Sequence, residues 1–201
     1  MKRKFDTKAI VITGLFLALE IVLQVIGNYL QIGPANINLS LVPVVLAALI
    51  CGPISGAILG FFNGLMALLS PSTQGLFMVF NPWGTVIVCL LKCTLAAVLA
   101  AFVYDVIAKA CKGEMRGRMF GVIAASIIVP VVNTLLFAIG ALVFFQPLLE
   151  ANETEQLKDI YSVLILGFIG FNFFIEIATT VIFTPSIAAI LFKREEKSLV
   201  K

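Results

Sequence analysis

The stretch from Pro82 to Lys109 reads PWGTVIVCLLKCTLAAVLAAFVYDVIAK. Between its ends it contains one basic residue, Lys92, and one acidic residue, Asp105. A helix rises about 1.5 Å per residue, so this stretch reaches about 40 Å as a helix, which exceeds the roughly 30 Å hydrocarbon core of a bilayer. The stretch therefore predicts a transmembrane helix.

The rest of the chain has the same apolar character. Of its 201 residues, 61% are hydrophobic and 12% are charged, whereas an ordinary soluble domain has about 25% charged residues. This composition excludes a soluble fold and leaves room for roughly six or seven crossings. We predict an all-α integral membrane protein, with residues 1–201 as a single domain that is a bundle of six transmembrane helices. Hydropathy places the spans at about 8–30, 36–50, 53–70, 82–109, 119–147 and 160–192.

The basic residues predict the orientation of this bundle. With six spans, 12 of the 14 Lys and Arg residues fall on one side of the membrane: before the first span, between the fourth and fifth, and after the sixth. The loop 150–159 is acidic and has one lysine, Lys158. Because cytoplasmic loops are enriched in Lys and Arg, we expect both termini in the cytoplasm.

Several polar residues fall inside the predicted hydrocarbon layer, where they are costly and usually face a partner or a cavity. The helical rise places Glu20, Lys92, Asn133 and Asn172 at a similar depth, with Glu176 one turn deeper. Lys92 has two interpretations: a buried ion pair with Glu20 that holds two spans together, or contact with an anionic group of a solute in an outward-opening cavity. For Glu176, protonation or a hydrogen bond within the bundle is the simpler interpretation.

A second polar cluster lies at the predicted outer ends of the second and fourth spans. Amide side chains combined with an aromatic ring suit a small solute that has several hydrogen-bonding groups. Trp83 also fits an interfacial anchor, and Asn81 also fits a helix cap. The predicted substrate-binding residues from both clusters are Asn36, Asn38, Asn63, Gln74, Asn81, Trp83, Lys92, Asn133 and Asn172.

The first span has two pairs of small residues with a spacing of four. They are Ala9 with Thr13 and Gly14 with Ala18. Small residues at this spacing let another helix approach closely. The pairs are therefore candidates for contact with a partner protein, and the alternative is packing inside the bundle.

The sequence contains no motif for chemistry of its own. It has no histidine, no GxxxxGK[ST] phosphate loop and no GxSxG or HExxH motif, and its four cysteines form no CxxC pair. We therefore expect a protein that is not an enzyme, with no cofactor or metal in this chain and no nucleic acid partner. A stand-alone channel or facilitator for a small solute remains an alternative to a transport subunit.

Four features together resemble a known family. They are the basic amino terminus before the small-residue pairs, the run INLSLVP at 37–43, the run CGPISGA at 51–57, and Lys92 followed by an alanine-rich half-span. Over nearly its whole length the chain resembles the substrate-binding S component of an energy-coupling factor (ECF) vitamin transporter.

The resemblance implies a multi-pass subunit in the plasma membrane of a prokaryote, embedded in the lipid bilayer, that binds a vitamin from the extracellular side. It further implies a complex with a transmembrane coupling protein and two cytoplasmic ATPases that use ATP, and delivery by tilting of the loaded subunit. In the family, the small-residue motif of the first helix contacts the coupling protein. That motif is usually two alanines four apart, so either pair in this chain is a candidate.

The chain looks closest to the branch that includes the pantothenate, riboflavin and pyridoxine-precursor binders. Lys92 suits the carboxylate of pantothenate, and the amides suit its hydroxyls and its amide. A flavin would need more aromatic stacking than the chain obviously supplies. Pantothenate is therefore the expected substrate, with riboflavin or a pyridoxine precursor as alternatives.

Overall fold

The computed structural model of the protein describes residues 6–29, 31–32, 35–36, 38–71, 73–79, 81–111, 114–144 and 155–199. Two strands of two residues each, β1 (Gln31–Ile32) and β2 (Ala35–Asn36), pair antiparallel, and Thr73–Met78 is π-helical. The α-helices of these residues are α1 (Thr7–Tyr29), α2 (Leu41–Cys51), α3 (Pro53–Leu68), α4 (Pro82–Ala110), α5 (Met115–Phe144) and α6 (Glu155–Leu199).

The helical membrane class is confirmed by the length and composition of these helices. Within the described residues, four helical segments are long and apolar enough to cross a membrane: Thr7–Gly27, Pro82–Ala110, Met115–Phe144 and Asn172–Arg194. Helices α2 and α3 are apolar but shorter, with 11 and 16 residues. At 1.5 Å per residue they reach about 16 Å and 24 Å, less than the roughly 30 Å core. Six full crossings and cytoplasmic termini therefore stay predictions.

The second predicted span differs most from the observed helix. We expected it from residue 36, but helix α2 begins at Leu41. Asn36 instead pairs with Gln31 in the small hairpin, and residues 39–40 form a turn. Residues 35 and 36 therefore belong to a strand and not to the helix.

Helix α2 forms the centre of the bundle. Its residues 41–49 are all buried, and it contacts α1, α3, α4, α5 and α6. A helix that is apolar on every side is stable only when other elements surround it. This explains why the α2 sequence, LVPVVLAALIC, has no polar face.

A one-residue turn joins α2 to α3 at Gly52. Its φ of 97° lies in the left-handed region that favours glycine. The Gly52 N–H donates to the carbonyl of Ala48 at 3.1 Å, and Pro53 begins the next helix, where its missing N–H costs nothing. The predicted spans 36–50 and 53–70 leave only two residues between them, and the observed connection is as short as that spacing requires.

Glycines of α3 bring it against the backbone of α4. A Cβ atom added to Gly60 would lie 2.6 Å from the carbonyl oxygen of Cys93, and one added to Gly64 would lie 2.6 Å from that of Cys89. Side chains larger than glycine do not fit at these positions. Gly56, Gly60 and Gly64, the glycine ladder of α3, have the spacing of four that is typical of close helix packing, a signal that was missed.

A cation–π cluster connects α4, α5 and α6 near the ends predicted to face the cytoplasm. The guanidinium of Arg118 lies 3.9 Å from the ring centroid of Phe192. Its Nε donates to the hydroxyl of Tyr104 at 3.4 Å, and the rings of Tyr104 and Phe192 are 6.5 Å apart. Together these contacts hold the three helices at one level.

Candidate functional site

Three asparagine amides converge on the carboxylate of Glu176 in α6, which is 2% exposed. Asn38 Nδ2 and Asn172 Nδ2 each donate to Oε1 at 3.2 Å, and Asn133 Nδ2 donates to Oε2 at 3.1 Å. The donors come from the segment before α2, from α6 itself and from α5. An ionised carboxylate only accepts hydrogen bonds, and these amides supply donors to both of its oxygens.

A second centre of this network is the buried hydroxyl of Ser40. Its Oγ lies 2.6 Å from Gln24 Oε1 and 2.6 Å from Asn38 Oδ1, and it accepts a hydrogen bond from Asn63 Nδ2 at 2.6 Å. Asn38 therefore connects the two centres, since its Oδ1 faces Ser40 while its Nδ2 donates to Glu176. The continuous polar network joins α1, the segment before α2, α3, α5 and α6.

Lys92 in α4 borders this network and is half-buried. Its Nζ lies 4.7 Å from the ring centroid of Phe137 in α5, a cation–π contact of about 0.5–2 kcal/mol. The ionisable groups that act on it electrostatically are the thiols of Cys93 and Cys89 and the carboxyl group of Glu176. Neither carboxylate oxygen of Glu20 has a hydrogen-bond partner, so the hydrogen-bonded Glu20–Lys92 ion pair, one of the two sequence interpretations, is absent.

The buried thiol of Cys93 lies among these charged groups. Cys93 Sγ donates to Asn133 Oδ1 at 3.5 Å, so both polar groups of the Asn133 amide are used. Lys92, Glu176 and Glu20 all lie within electrostatic range of the Cys93 thiol. Ionisable side chains from α1, α4 and α6 therefore border one buried region of the bundle.

Four of the predicted substrate-binding residues are hydrogen-bonded in the network, and a fifth, Lys92, borders it. The interpretation of Glu176 as hydrogen-bonded within the bundle is confirmed, but its position as a centre of the network was missed, as were Gln24 and Phe137. The spacing of four between Asn172 and Glu176, and between Glu20 and Gln24, was the available signal, since it puts both members of a pair on one helix face. The five residues are Asn38, Asn63, Lys92, Asn133 and Asn172.

The other predicted substrate-binding residues lie elsewhere. Asn81 caps α4, because its Oδ1 accepts from Gly84 N at 3.0 Å and its Nδ2 donates to the Phe144 carbonyl at 3.3 Å. Trp83 is 78% exposed, and Gln74 is exposed. The side chain of Asn36 lies outside the part of the chain that is described. The cap interpretation of Asn81 is thus confirmed.

The two small-residue pairs of α1 lie on different faces. Ala9 and Thr13 are 7% and 5% exposed, and the Thr13 hydroxyl lies 2.8 Å from Ser55 Oγ of α3. Gly14 and Ala18 are exposed, and a Cβ atom added to Gly14 would meet no atom within 4 Å. The first pair therefore packs inside the bundle, and the second lies on the outer surface.

The fold and the network define a class of protein. Apolar helices, four of them within the described residues long enough to span a bilayer, surround a buried set of amides and charged side chains. Polar groups at such positions are costly unless they serve a site or a structural partner. The chain is a helical membrane protein with a buried polar network.

Comparison with known families makes this assignment specific. The family model for the substrate-specific component of ECF transporters matches residues 8–188. The chain belongs to this family, whose members are substrate-binding transport subunits and not enzymes. Membership implies a substrate and a complex with ECF coupling and ATPase subunits. No curated protein and no solved structure significantly matches the chain.

Proposed function

We propose that this chain is the high-affinity binding subunit of an ECF-type ABC importer for a water-soluble vitamin, with pantothenate as the leading candidate. The observation that carries the proposal is the half-buried Lys92 beside the amides that converge on Glu176. This combination of one ammonium with several amides suits a small solute that has an anionic group and several hydrogen-bonding groups.

Pantothenate has this chemistry. Its carboxylate is complementary to the Lys92 ammonium, since hydrogen bonds between ionised groups are about twice as strong as neutral ones. Its amide and hydroxyl groups are complementary to asparagine side chains, which both donate and accept. Riboflavin would need aromatic surface for stacking, and Trp83 lies at 78% exposure outside the network. A pyridoxine precursor is the second candidate.

Partner subunits supply the energy in this proposal. The exposed Gly14–Ala18 face of α1 provides a surface on which a helix of the coupling protein can pack closely. Two cytoplasmic ATPases bind and hydrolyse ATP, and the loaded subunit tilts in the plasma membrane to deliver the vitamin. Thr13 already contacts Ser55 within the bundle, which favours the Gly14–Ala18 pair for this role.

One experiment tests the substrate directly. The protein is purified in mild detergent and extracted with organic solvent, and the extract is analysed by mass spectrometry. Stoichiometric pantothenate is the expected result, and titration calorimetry then gives its affinity. Another vitamin would keep the transport role and contradict pantothenate. No bound solute, and no thermal shift with pantothenate, riboflavin or pyridoxine, would contradict the binding role and favour a stand-alone channel or facilitator.

A further inference from the structure

Within the described part of the chain, Glu20 in α1 is a buried carboxyl group whose two oxygens have no hydrogen-bond partner. It is 0% exposed. It lies on the inward face of α1 together with Thr13 and Phe16, which are also buried. A buried polar group left without a hydrogen bond costs about 1–3 kcal/mol, and more when it is charged. The presence of this costly group in the interior therefore needs an explanation.

The other buried glutamate of the bundle shows how a carboxylate is satisfied by hydrogen bonds in this protein. Glu176 is 2% exposed and accepts three amide hydrogen bonds. A polar side chain, Asn63, lies next to Glu20 as well, but it makes no hydrogen bond of ordinary geometry to either carboxyl oxygen. The Asn63 amide next to it donates to Ser40 Oγ at 2.6 Å. The bundle therefore supplies hydrogen bonds to Glu176, whereas the oxygens of Glu20 remain available to another donor.

The position of Glu20 links it to the proposed substrate site. Both Glu20 and Lys92 lie within electrostatic range of Cys93, and Asn63 joins Glu20 to the polar network. Gln24, one turn further along α1, faces Ser40 at 2.6 Å. Glu20 thus borders the network from the α1 side, while Lys92 borders it from α4.

We propose that Glu20 accepts a hydrogen bond from a donor group of the bound solute and selects for solutes that have one. The inference rests on the proposed function and deepens it: the solute has an acidic end for Lys92 and a donor end for Glu20. In pantothenate the donors at the end opposite the carboxylate are the two hydroxyl groups of the pantoyl moiety. Binding then supplies the partner that Glu20 lacks in the empty protein.

The test compares pantothenate with N-(3,3-dimethylbutanoyl)-β-alanine, which keeps the carbon skeleton but lacks both hydroxyls. Titration calorimetry on the purified protein is expected to show that the wild type prefers pantothenate by about tenfold or more, because a site built to bond a hydroxyl rejects the analogue that lacks it. In Glu20→Gln and Glu20→Met this preference is expected to fall below about threefold. An unchanged preference in both variants would overturn the role of Glu20.

Thr184→Val is the matched control. Thr184 is also 0% exposed with an unpartnered oxygen, but it lies two helical turns, about 12 Å, from Glu176 along α6. It is expected to leave the ligand preference unchanged. Thermal unfolding without ligand checks folding. The Glu20 variants are expected to unfold at the same temperature as the wild type or a higher one, because they remove a buried carboxyl group whose oxygens have no hydrogen-bond partner.

The remaining outcomes separate this inference from the choice of substrate. If the wild type binds riboflavin or pyridoxine but not pantothenate, only the substrate assignment fails. A tenfold loss of affinity for that vitamin in Glu20→Gln would then support the role of Glu20, and an unchanged affinity would overturn it. If the wild type binds none of these vitamins, both proposals are overturned.

Discussion

Asn133 Nδ2 in α5 donates to Glu176 Oε2 in α6 at 3.1 Å. The other end of the same amide accepts a hydrogen bond from the Cys93 thiol of α4 at 3.5 Å. One side chain thus connects three helices through a residue that is 4% exposed. The polar interior holds the bundle together as well as offering groups to a solute.

Replacing Asn133 should therefore destabilise the protein. Asn133→Leu removes one of three donors to Glu176 and leaves a buried carboxylate oxygen without a bond, at a cost of about 1–3 kcal/mol. We expect a lower unfolding temperature in detergent, measured by a thermal shift assay. Asn133→Asp should lower it further, because it places a second carboxylate beside the first. Equal stability of wild type and Asn133→Leu would contradict a stabilising role.

Lys92→Met tests the proposed contact with the substrate. Methionine keeps the length and apolar stem of the side chain but removes the ammonium, so we expect pantothenate affinity to fall at least about tenfold, the loss for a charged hydrogen bond of about 1.5–3 kcal/mol. Titration calorimetry measures this, with thermal unfolding as the check on folding. Lys109→Met, at an exposed position near the end of the same helix, is the matched control and should bind as the wild type does.

If pantothenate bound equally well to Lys92→Met, the ammonium would have only a structural role. In that case its contacts with Phe137 and Glu176 would be its whole function. The variant would then lower the unfolding temperature without changing affinity.

The depth of polar residues could be predicted from the sequence, but the direction that each one faces could not. The helical rise fixes how far a residue lies from the end of its helix. It placed Asn133 and Asn172 in one layer, and both donate to Glu176. The same reasoning offered Glu20 as a partner for Lys92, a pair that the structure does not form.

The rotation of each helix about its own axis explains why the depth of a polar residue could be predicted but its direction could not. The face that a helix turns toward its neighbour depends on packing, and the contacts of Gly60 and Gly64 with the α4 backbone fix that packing between α3 and α4. The short hairpin that precedes α2 is likewise set by backbone pairing, which hydropathy does not record. Family membership, by contrast, was predicted from local motifs and is confirmed over residues 8–188.

Gly60→Ala tests the glycine ladder. The added methyl group would lie 2.6 Å from the carbonyl oxygen of Cys93, which is backbone and cannot move without shifting α4. Overpacking of this kind costs about 1–3 kcal/mol, so the unfolding temperature should fall. Gly14→Ala is the matched control, because its methyl group meets nothing within 4 Å. In a helix this change stabilises by about 0.5–1 kcal/mol. A Gly60→Ala protein as stable as Gly14→Ala would contradict close packing of α3 on α4.

The last prediction concerns which small-residue pair of α1 meets the coupling protein. Ala18 is exposed and Ala9 is buried, so a bulky side chain should act differently at the two positions. Ala18→Phe is expected to block copurification with the coupling protein and ATPases while vitamin affinity and unfolding temperature stay unchanged, because the ring projects from the outer face and prevents close approach. Ala9→Phe should instead lower the unfolding temperature, because the ring must fit between α1 and the bundle.

An exposed position on another helix provides the control for this comparison. Ile139 of α5 is 55% exposed, and Ile139→Phe should leave both the complex and vitamin binding intact. If Ala18→Phe also copurified with the complete complex, the Gly14–Ala18 face would be a lipid-facing surface and the coupling protein would bind elsewhere. Loss of the complex in Ala18→Phe alone would assign the contact to this face, because the three variants add the same ring and differ only in where it lies.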